Sequence, residues 1–406
     1  MSGTASGTAG ENAILRRAIL AGFAGWTLDA FDFFLVVLCL TDIGGTFNVN
    51  DASVSASLLL TLAFRPIGAL IFGWMADRYG RRLPMMLNLV FFSIIEVCTG
   101  LSVNFHQFLI LRALFGIGMG GEWGVGTALV MEHVPVRWRG IVAGLLQEGY
   151  AVGYLLAAAG YWIVLPHFGW RVLFFIGGAP ALLALYIRLG IPESPVWKNQ
   201  RATQVGAPSR GTATLQYWKL FIYLTALMAM MNFSSHGTQD MYPTFLKRFW
   251  LATPGHVALI TVISMIGALS GGVCFGLLSD RLGRRRTMMV SLALALLMIP
   301  LWAFAPALAL LALGAFLMQF MVQGAWGVIP AHLAELSPDN VRGFLPGFAY
   351  QCGALIAGSA AWIEAKLAEH VAYNQAMALC ASVIFVIALA VIFVGPERHK
   401  REFGGA

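Results

Sequence analysis

Two ten-residue stretches decide the fold: Gly73-Trp74-Met75-Ala76-Asp77-Arg78-Tyr79-Gly80-Arg81-Arg82 and Gly276-Leu277-Leu278-Ser279-Asp280-Arg281-Leu282-Gly283-Arg284-Arg285. The second begins 203 positions after the first (276 − 73). The same offset joins Trp123-Gly124-Val125 to Trp326-Gly327-Val328, Glu132 to Glu335, Pro135 to Pro338, Arg139 to Arg342, Gly140 to Gly343 and Gly144 to Gly347. One constant offset over several helices and their loops marks two copies of one unit. Parallel repeats related by an axis along the membrane normal are an architecture of secondary transporters.

The sequence around these stretches is written for lipid. Of its 406 residues 59% are hydrophobic and 11% charged, against about 25% charged in a protein whose surface faces water. Mean hydropathy is +0.76. A run of about 20 apolar residues spans the hydrocarbon core, and lipid forces such a run to be helical. Gly, Pro and charge punctuation predicts twelve helices near 16–40, 52–75, 83–103, 106–134, 140–165, 170–191, 217–246, 256–279, 286–304, 307–336, 341–368 and 372–394. The expected fold is an all-α membrane protein of two pseudo-symmetric six-helix bundles, residues 1–191 and 217–406, joined by a polar linker at 192–216.

The net charge of +7 reports topology, not a nucleic-acid partner. Arg16, Arg17, Arg78, Arg81, Arg82, Arg137, Arg139, Lys198, Arg201 and Arg210 fall in alternate loops or helix ends, as do Arg281, Arg284, Arg285, Arg286, Arg342 and Arg398. The intervening loops offer Arg171, Lys247, Arg248 and Lys366. That asymmetry predicts cytoplasmic termini and a cytoplasmic linker. The five cysteines lie in apolar runs without metal-ligand spacing, so no disulfide framework, metal or cofactor is expected. The first residues lack the charged start and cleavage site of a signal peptide. A multi-pass protein of a bacterial cytoplasmic membrane, in contact with its lipids, is the expectation.

The repeated loop has its own physics. Asp77 and Asp280 each end a helix beside a turn whose Gly80 or Gly283 permits unusual dihedrals. Arg78 and Arg81, or Arg281 and Arg284, are within reach of that Asp, of helix C-terminal carbonyls, or of Glu132 and Glu335 in the same half. Together with Arg139 and Arg342 they are expected to latch one face shut in one conformation and release it in the other. Positive-inside anchoring alone accounts for the arginines but not for the repeated acid and glycine.

On these motifs the chain resembles the major facilitator superfamily over essentially its whole length. The two decapeptides match that family's loops between helices two and three and between eight and nine. Arg112-x-x-x-Gly116-x-Gly118-x-Gly120-Gly121-Glu122 resembles its fourth-helix motif, and Pro192-Glu193-Ser194-Pro195 its sequence after helix six. The resemblance implies the twelve-helix fold and solute transport. We expect the monomer to be the working unit.

Ionisable residues at membrane depth are costly unless paired or facing a wet cavity. Asp29 and Asp32 share a face of helix one, Arg65 sits near the middle of helix two, and Arg112 and Glu122 lie on helix four. Structural ion pairs and substrate or proton handling both fit this group. Helix seven carries the sharpest feature, Asn232-Phe233-Ser234-Ser235-His236-Gly237-Thr238-Gln239-Asp240. Asn232, Ser235, His236 and Gln239 make a continuous polar stripe, with Asp240 one turn past His236. Uncharged donors beside an imidazole suit a carboxylate ligand, and a His–carboxylate pair suits proton exchange near physiological pH. Gln147, Tyr150 and Tyr154 on helix five, and Gln319, Gln323 and Trp326 on helix ten, are further candidates for the same cavity.

The helix-seven string also resembles the signature of the yeast Jen-type lactate/pyruvate permeases, within the sialate:proton symporter branch. Asp29-Ala30-Phe31-Asp32 is similar to the element on that branch's first helix. The resemblance implies monocarboxylate recognition and proton coupling by Asn232, His236, Gln239 and Asp240, with Arg65 meeting the carboxylate. Those permeases carry Gln-x-x-Asn on helix eleven. This chain keeps Gln351 and has Ala354 for the Asn. The expectation is proton-coupled symport of a small monocarboxylate. A symporter of a larger acid such as sialic acid, and a non-transporting solute sensor, are the alternatives. An enzyme is not expected, since neither His-Glu-x-x-His nor Gly-x-Ser-x-Gly occurs.

Overall fold

The computed structural model describes residues 3–49, 51–178, 190–203 and 216–403. Its first half contains α1 (Gly3–Leu38), α2 (Leu40–Phe47), α3 (Asp51–Tyr79), α4 (Arg82–Gly100), α5 (Phe105–His133), α6 (Arg139–Gln147), α7 (Gly149–Phe168) and α8 (Trp170–Gly178). After α9 (Pro195–Thr203), the second half contains α10 (Trp218–Gln239), α11 (Tyr242–Arg248), α12 (Pro254–Leu282), α13 (Arg284–Ala303), α14 (Leu308–Leu336), α15 (Leu345–Ala357), α16 (Ala360–Leu367) and α17 (Tyr373–Val394). Among the described residues nine helices are long and apolar enough to cross a membrane. The rest of the apolar runs are covered by broken or partly described helices, in keeping with twelve crossings.

Four of the predicted helices are interrupted. Helix one breaks at Cys39, helix five at Glu148, helix seven at Asp240–Met241 and helix eleven at Gly358–Ser359. The helix-seven break has a local cause. Pro243 near the start of α11 has no N–H to continue the ladder and is tolerated only in a first turn. The predicted linker is partly helical: Ser194 caps α9, its Oγ accepting from Trp197 N at 3.2 Å. The remainder of predicted helix six, 179–189, and linker residues 204–215 lie outside the described residues.

Small residues set the packing. A Cβ on Gly116 would stand 2.3 Å from Thr61 O, so α3 and α5 touch backbone to backbone. Between the halves, a Cβ on Gly144 of α6 would stand 2.4 Å from Gly272 O of α12, and one on Gly124 of α5 2.7 Å from Gly347 Cα of α15. The halves are therefore in contact at backbone level on the side that carries the repeated loops.

Candidate functional site

The repeated loops build a network that crosses between the halves. At the end of α3, Asp77 Oδ1 accepts from Gly343 N at 2.8 Å and Oδ2 from Phe344 N at 3.1 Å. These N–H groups precede α15, so the carboxylate caps a helix of the opposite half, where the helix dipole favours negative charge. Asp280 does the same for α6, accepting from Gly140 N at 2.9 Å and Ile141 N at 3.2 Å. Each acid is fixed by an arginine. Arg81 Nη1 donates to Asp77 at 2.5 Å while Nη2 donates to Glu132 at 3.0 Å. Arg284 donates to Asp280 and Glu335, both at 2.9 Å. Burial alone would lower the Arg81 pKa, but Glu132 and Asp77 outweigh it and hold the guanidinium above its ordinary range.

The turns need their glycines. Gly80 has φ +99° and Gly283 φ +91°, and a Cβ on Gly80 would strike Glu193. Glu193 in turn caps α4 through Arg81 N at 2.8 Å and Arg82 N at 3.1 Å. Glu397 caps α13 through Arg284 N at 3.1 Å and Arg285 N at 2.9 Å. Arg342 approaches Glu132 of the other half at 3.6 Å and also pairs with Asp339. Phe403 lies between the guanidinium groups of Arg139 and Arg342, at 3.5 and 3.8 Å from its ring centre, and Arg139 donates to Arg401 O. Of the residues assigned to the latch, Arg78 and Arg281 are exposed and stand apart from the acids, Arg78 lying over Trp74 and Tyr79. The extended side-chain reach of each arginine allowed several partners. The turn geometry aims Arg81 and Arg284 inward.

Deeper in the protein, Arg65 of α3 is buried, with its guanidinium 5.6 Å from the Tyr350 ring. Its Nε and Nη2 have no hydrogen-bond partner among the described residues. Tyr350 of α15 packs on Trp123 at 4.7 Å and Trp326 at 5.9 Å, and Trp26 stacks on Tyr150 at 5.8 Å. Phe34 meets Tyr150 at 5.1 Å and Tyr154 at 4.7 Å. Tyr350 thus joins the arginine to a cluster of rings drawn from both halves. Tyr350 and Trp26 escaped the sequence reading, because an aromatic in an apolar run carries no signal separating a cavity wall from a lipid contact.

The helix-seven stripe divides in two. Gln239 Nε2 donates to Ser235 Oγ at 3.2 Å and Gln319 Oε1 at 2.7 Å, and Gln323 Nε2 donates to Ser235 Oγ at 3.0 Å. This amide cluster ties α10 to α14. His236 Nδ1 and Asp240 Oδ2 stand 3.1 Å apart, with side chains 37% and 42% exposed. That exposure leaves the pair open rather than sealed among its neighbours, and Arg65 is within electrostatic reach of His236. Asn232 donates to Met228 O at 2.7 Å, a bond within its own helix. Gln351 donates weakly to Gly120 O at 3.4 Å and leaves Oε1 without a partner among the described residues.

The remaining acids stand elsewhere. Asp32 is fully buried, within electrostatic reach of Asp29 and of an ion pair that the sequence reading missed, Arg112 to Glu96 at 2.6 Å. Asp29 is within reach of Tyr350 and Tyr150. Glu122 accepts from Asn88 at 3.3 Å and lines a small pocket with Trp26 and Trp123. Gln147 accepts from Trp123 Nε1 at 3.4 Å. Among the described residues no cluster of three or more His, Cys, Asp or Glu is placed to hold a metal.

Two helical bundles that meet through a buried polar network and hold charge at membrane depth define a multi-pass membrane protein. The chain belongs to the major facilitator superfamily. Residues 45–216 match the family described as sugar (and other) transporter, and residues 222–406 the family described as Major Facilitator Superfamily. A carboxylic acid transporter protein homolog of Saccharomyces cerevisiae is 29% identical, covering 94% of this chain and 68% of that protein. A probable 4-methylmuconolactone transporter of Cupriavidus pinatubonensis is 30% identical over 94% of this chain and 90% of that one. The proton:xylose symporter XylE, solved with a bromo-deoxyglucose, superposes with a TM-score of 0.76 at 19% identity, over 97% of this chain and 98% of that one. These are families of transporters, not enzymes, and they imply a small-molecule substrate.

Proposed function

We propose that the protein is a proton-coupled symporter of a small monocarboxylate of the lactate and pyruvate class, working by alternating access as a monomer. The observation that carries this reading is the buried Arg65, with two guanidinium donors unpartnered among the described residues and the His236–Asp240 pair within its field. A carboxylate offers two acceptors to such a fork. The name of the yeast relative, a carboxylic acid transporter homolog, supports the same substrate class.

In this reading residues 1–191 and 217–406 move as two bundles about the linker 192–216. Their termini face the cytoplasm of a bacterial cell, as the positive-inside rule requires. A proton first enters the His236–Asp240 pair, with Asp29 and Asp32 as the other acids of the path. The anion then binds Arg65, aided by the Gln351 carboxamide and the Tyr150 hydroxyl. The halves rock, the Asp77 and Asp280 caps break, and substrate and proton leave together. Moving one negative charge inward against 100 mV costs about 2.3 kcal/mol, which one co-transported proton cancels.

The test is uptake of labelled lactate into proteoliposomes under an imposed pH gradient, with 4-methylmuconolactone and sialate as competitors. Lactate accumulation is expected in wild type and is lost in His236→Ala and Asp240→Asn. No lactate uptake, with strong transport of a larger acid, would replace the substrate class. Unchanged accumulation in both variants would remove the helix-seven pair from coupling.

A further inference from the structure

One buried acid that no step above uses is Glu364, on α16, the outer segment of broken helix eleven. It is 1% exposed, and both carboxylate oxygens lack a hydrogen-bond partner among the described residues. Beside it, α10, α16 and α17 form an open apolar groove of about 410 Å³ on the outer face of the helices, lined by Phe233, Ile363, Leu379, Val383 and Ile384. Those side chains are apolar, so the groove gives an ionised carboxylate nothing in exchange for its lost hydration. Among the described residues the titratable groups facing Glu364 are Asp240, at the broken end of α10, and Cys380 of α17. Neither brings positive charge. A negative Glu364 here would be dry, unpaired and opposed by Asp240 at once.

We propose that Glu364 is a second proton-binding site, which holds a proton in this conformation and releases it when the helix-seven and helix-eleven segments rearrange. Asp240 and Glu364 occupy comparable places. Each sits at or just beyond a break in its helix, at Asp240–Met241 and Gly358–Ser359, and α10 packs directly on α16. Movement at those breaks changes the distance between the two acids and the access of water to Glu364. Glu364 gains one proton from water in the closed, dry arrangement and returns one proton to water in the hydrated arrangement, with no other bond made or broken. His236–Asp240 is the exposed member of the relay and Glu364 the buried one. This role rests on the proton-coupled reading of transport, but the occupancy of the site by a proton does not.

Infrared difference spectroscopy of the purified protein reads that occupancy without substrate. Wild type minus Glu364→Gln at neutral pH is expected to show the C=O stretch of one protonated carboxylic acid, shifted in heavy water. Glu364→Asp keeps an acid at the position and is expected to move the band, not abolish it, which covers a glutamine variant that folds poorly. In proteoliposomes, a pH gradient of one unit sustains about tenfold accumulation through one coupled proton. Glu364→Gln is expected to lose that accumulation while lactate counterflow, which needs no net proton movement, persists. A difference spectrum with no acid band overturns the proposal, as does a glutamine variant that concentrates lactate like wild type. If wild type itself carries no lactate, the substrate reading fails and the infrared result alone decides Glu364.

Discussion

Replacing Asp77 by Asn perturbs the closed face with almost no change of shape. The carboxylate accepts two backbone bonds from the opposite half, at 2.8 and 3.1 Å, and an Arg81 bond at 2.5 Å. A hydrogen bond to a charged group contributes about 1.5–3 kcal/mol, and a neutral one about 1 kcal/mol. Asn keeps one acceptor, loses the charge, and turns an N–H toward an N–H donor. Arg81 retains Glu132, so the half itself remains folded. The loss to the closed state is therefore about 3 kcal/mol, or roughly 100-fold in the closed-to-open ratio. A protein about 99% closed becomes roughly half open. Spin labels at the exposed positions Trp138 and Leu282, one in each half, read this as a second, longer distance population in a background lacking the native cysteines. Asp280→Asn is expected to match it, because Asp280 caps α6 in the same way. If Asp77→Asn leaves the distance distribution at its wild-type form, the cap does not hold the face closed and the latch reasoning fails.

Phe403→Ala removes the ring between Arg139 and Arg342, which lie at 3.5 and 3.8 Å from it. The expected loss is about 1–2 kcal/mol of closed state, a smaller opening than Asp77→Asn gives in the same spin-label assay. Gly144→Val places a side chain where even a Cβ would stand 2.4 Å from Gly272 O. It is expected to prop the seam open with little effect on melting temperature, since this contact lies between the halves. Gly116→Val, whose Cβ would meet Thr61 O at 2.3 Å inside one half, is expected to lower the melting temperature by several degrees instead.

The apolar runs made the twelve-helix plan legible, because a span in lipid must be long, apolar and helical. The breaks were less so. Pro243 was visible in the sequence, whereas at Glu148 and Gly358–Ser359 the apolar runs resume at once on the far side, and a single polar pair within a long span does not by itself mark a break. The repeated loop gave Asp77, Glu132 and Arg81 as neighbours, but not the destination of Asp77. Its partners are the N–H groups of Gly343 and Phe344, and a backbone donor has no residue signature. The helix-seven stripe was legible as a period. Its division into an amide cluster and a His–Asp pair depends on α14, whose Gln319 and Gln323 claim Ser235 and Gln239. Glu96 and Glu364 were passed over because an isolated acid near the end of an apolar run resembles an interfacial residue.

The offset of 203 carries one further step. It aligns Asp29 with Asn232 (232 − 29), Asp32 with Ser235 (235 − 32), Glu148 with Gln351 (351 − 148) and Arg65 with Ala268 (268 − 65). At each position the first half has a charged side chain and the second an uncharged one. The loops behave oppositely: Asp77 on Gly343 is repeated as Asp280 on Gly140, with charge retained in both. Symmetry explains the difference. A pseudo-two-fold contact between a carboxylate and a backbone N–H is complementary, so duplication makes two good contacts from one. Acids buried at membrane depth gain no such partner when duplicated, and like charges there repel strongly in a low dielectric. Amides and hydroxyls keep hydrogen-bonding capacity without that repulsion. The duplicated framework could keep its latch unchanged while the second half surrendered its charges. The new charge of that half, His236–Asp240, then lies off the aligned acid positions, where it faces Arg65 without a copy of itself.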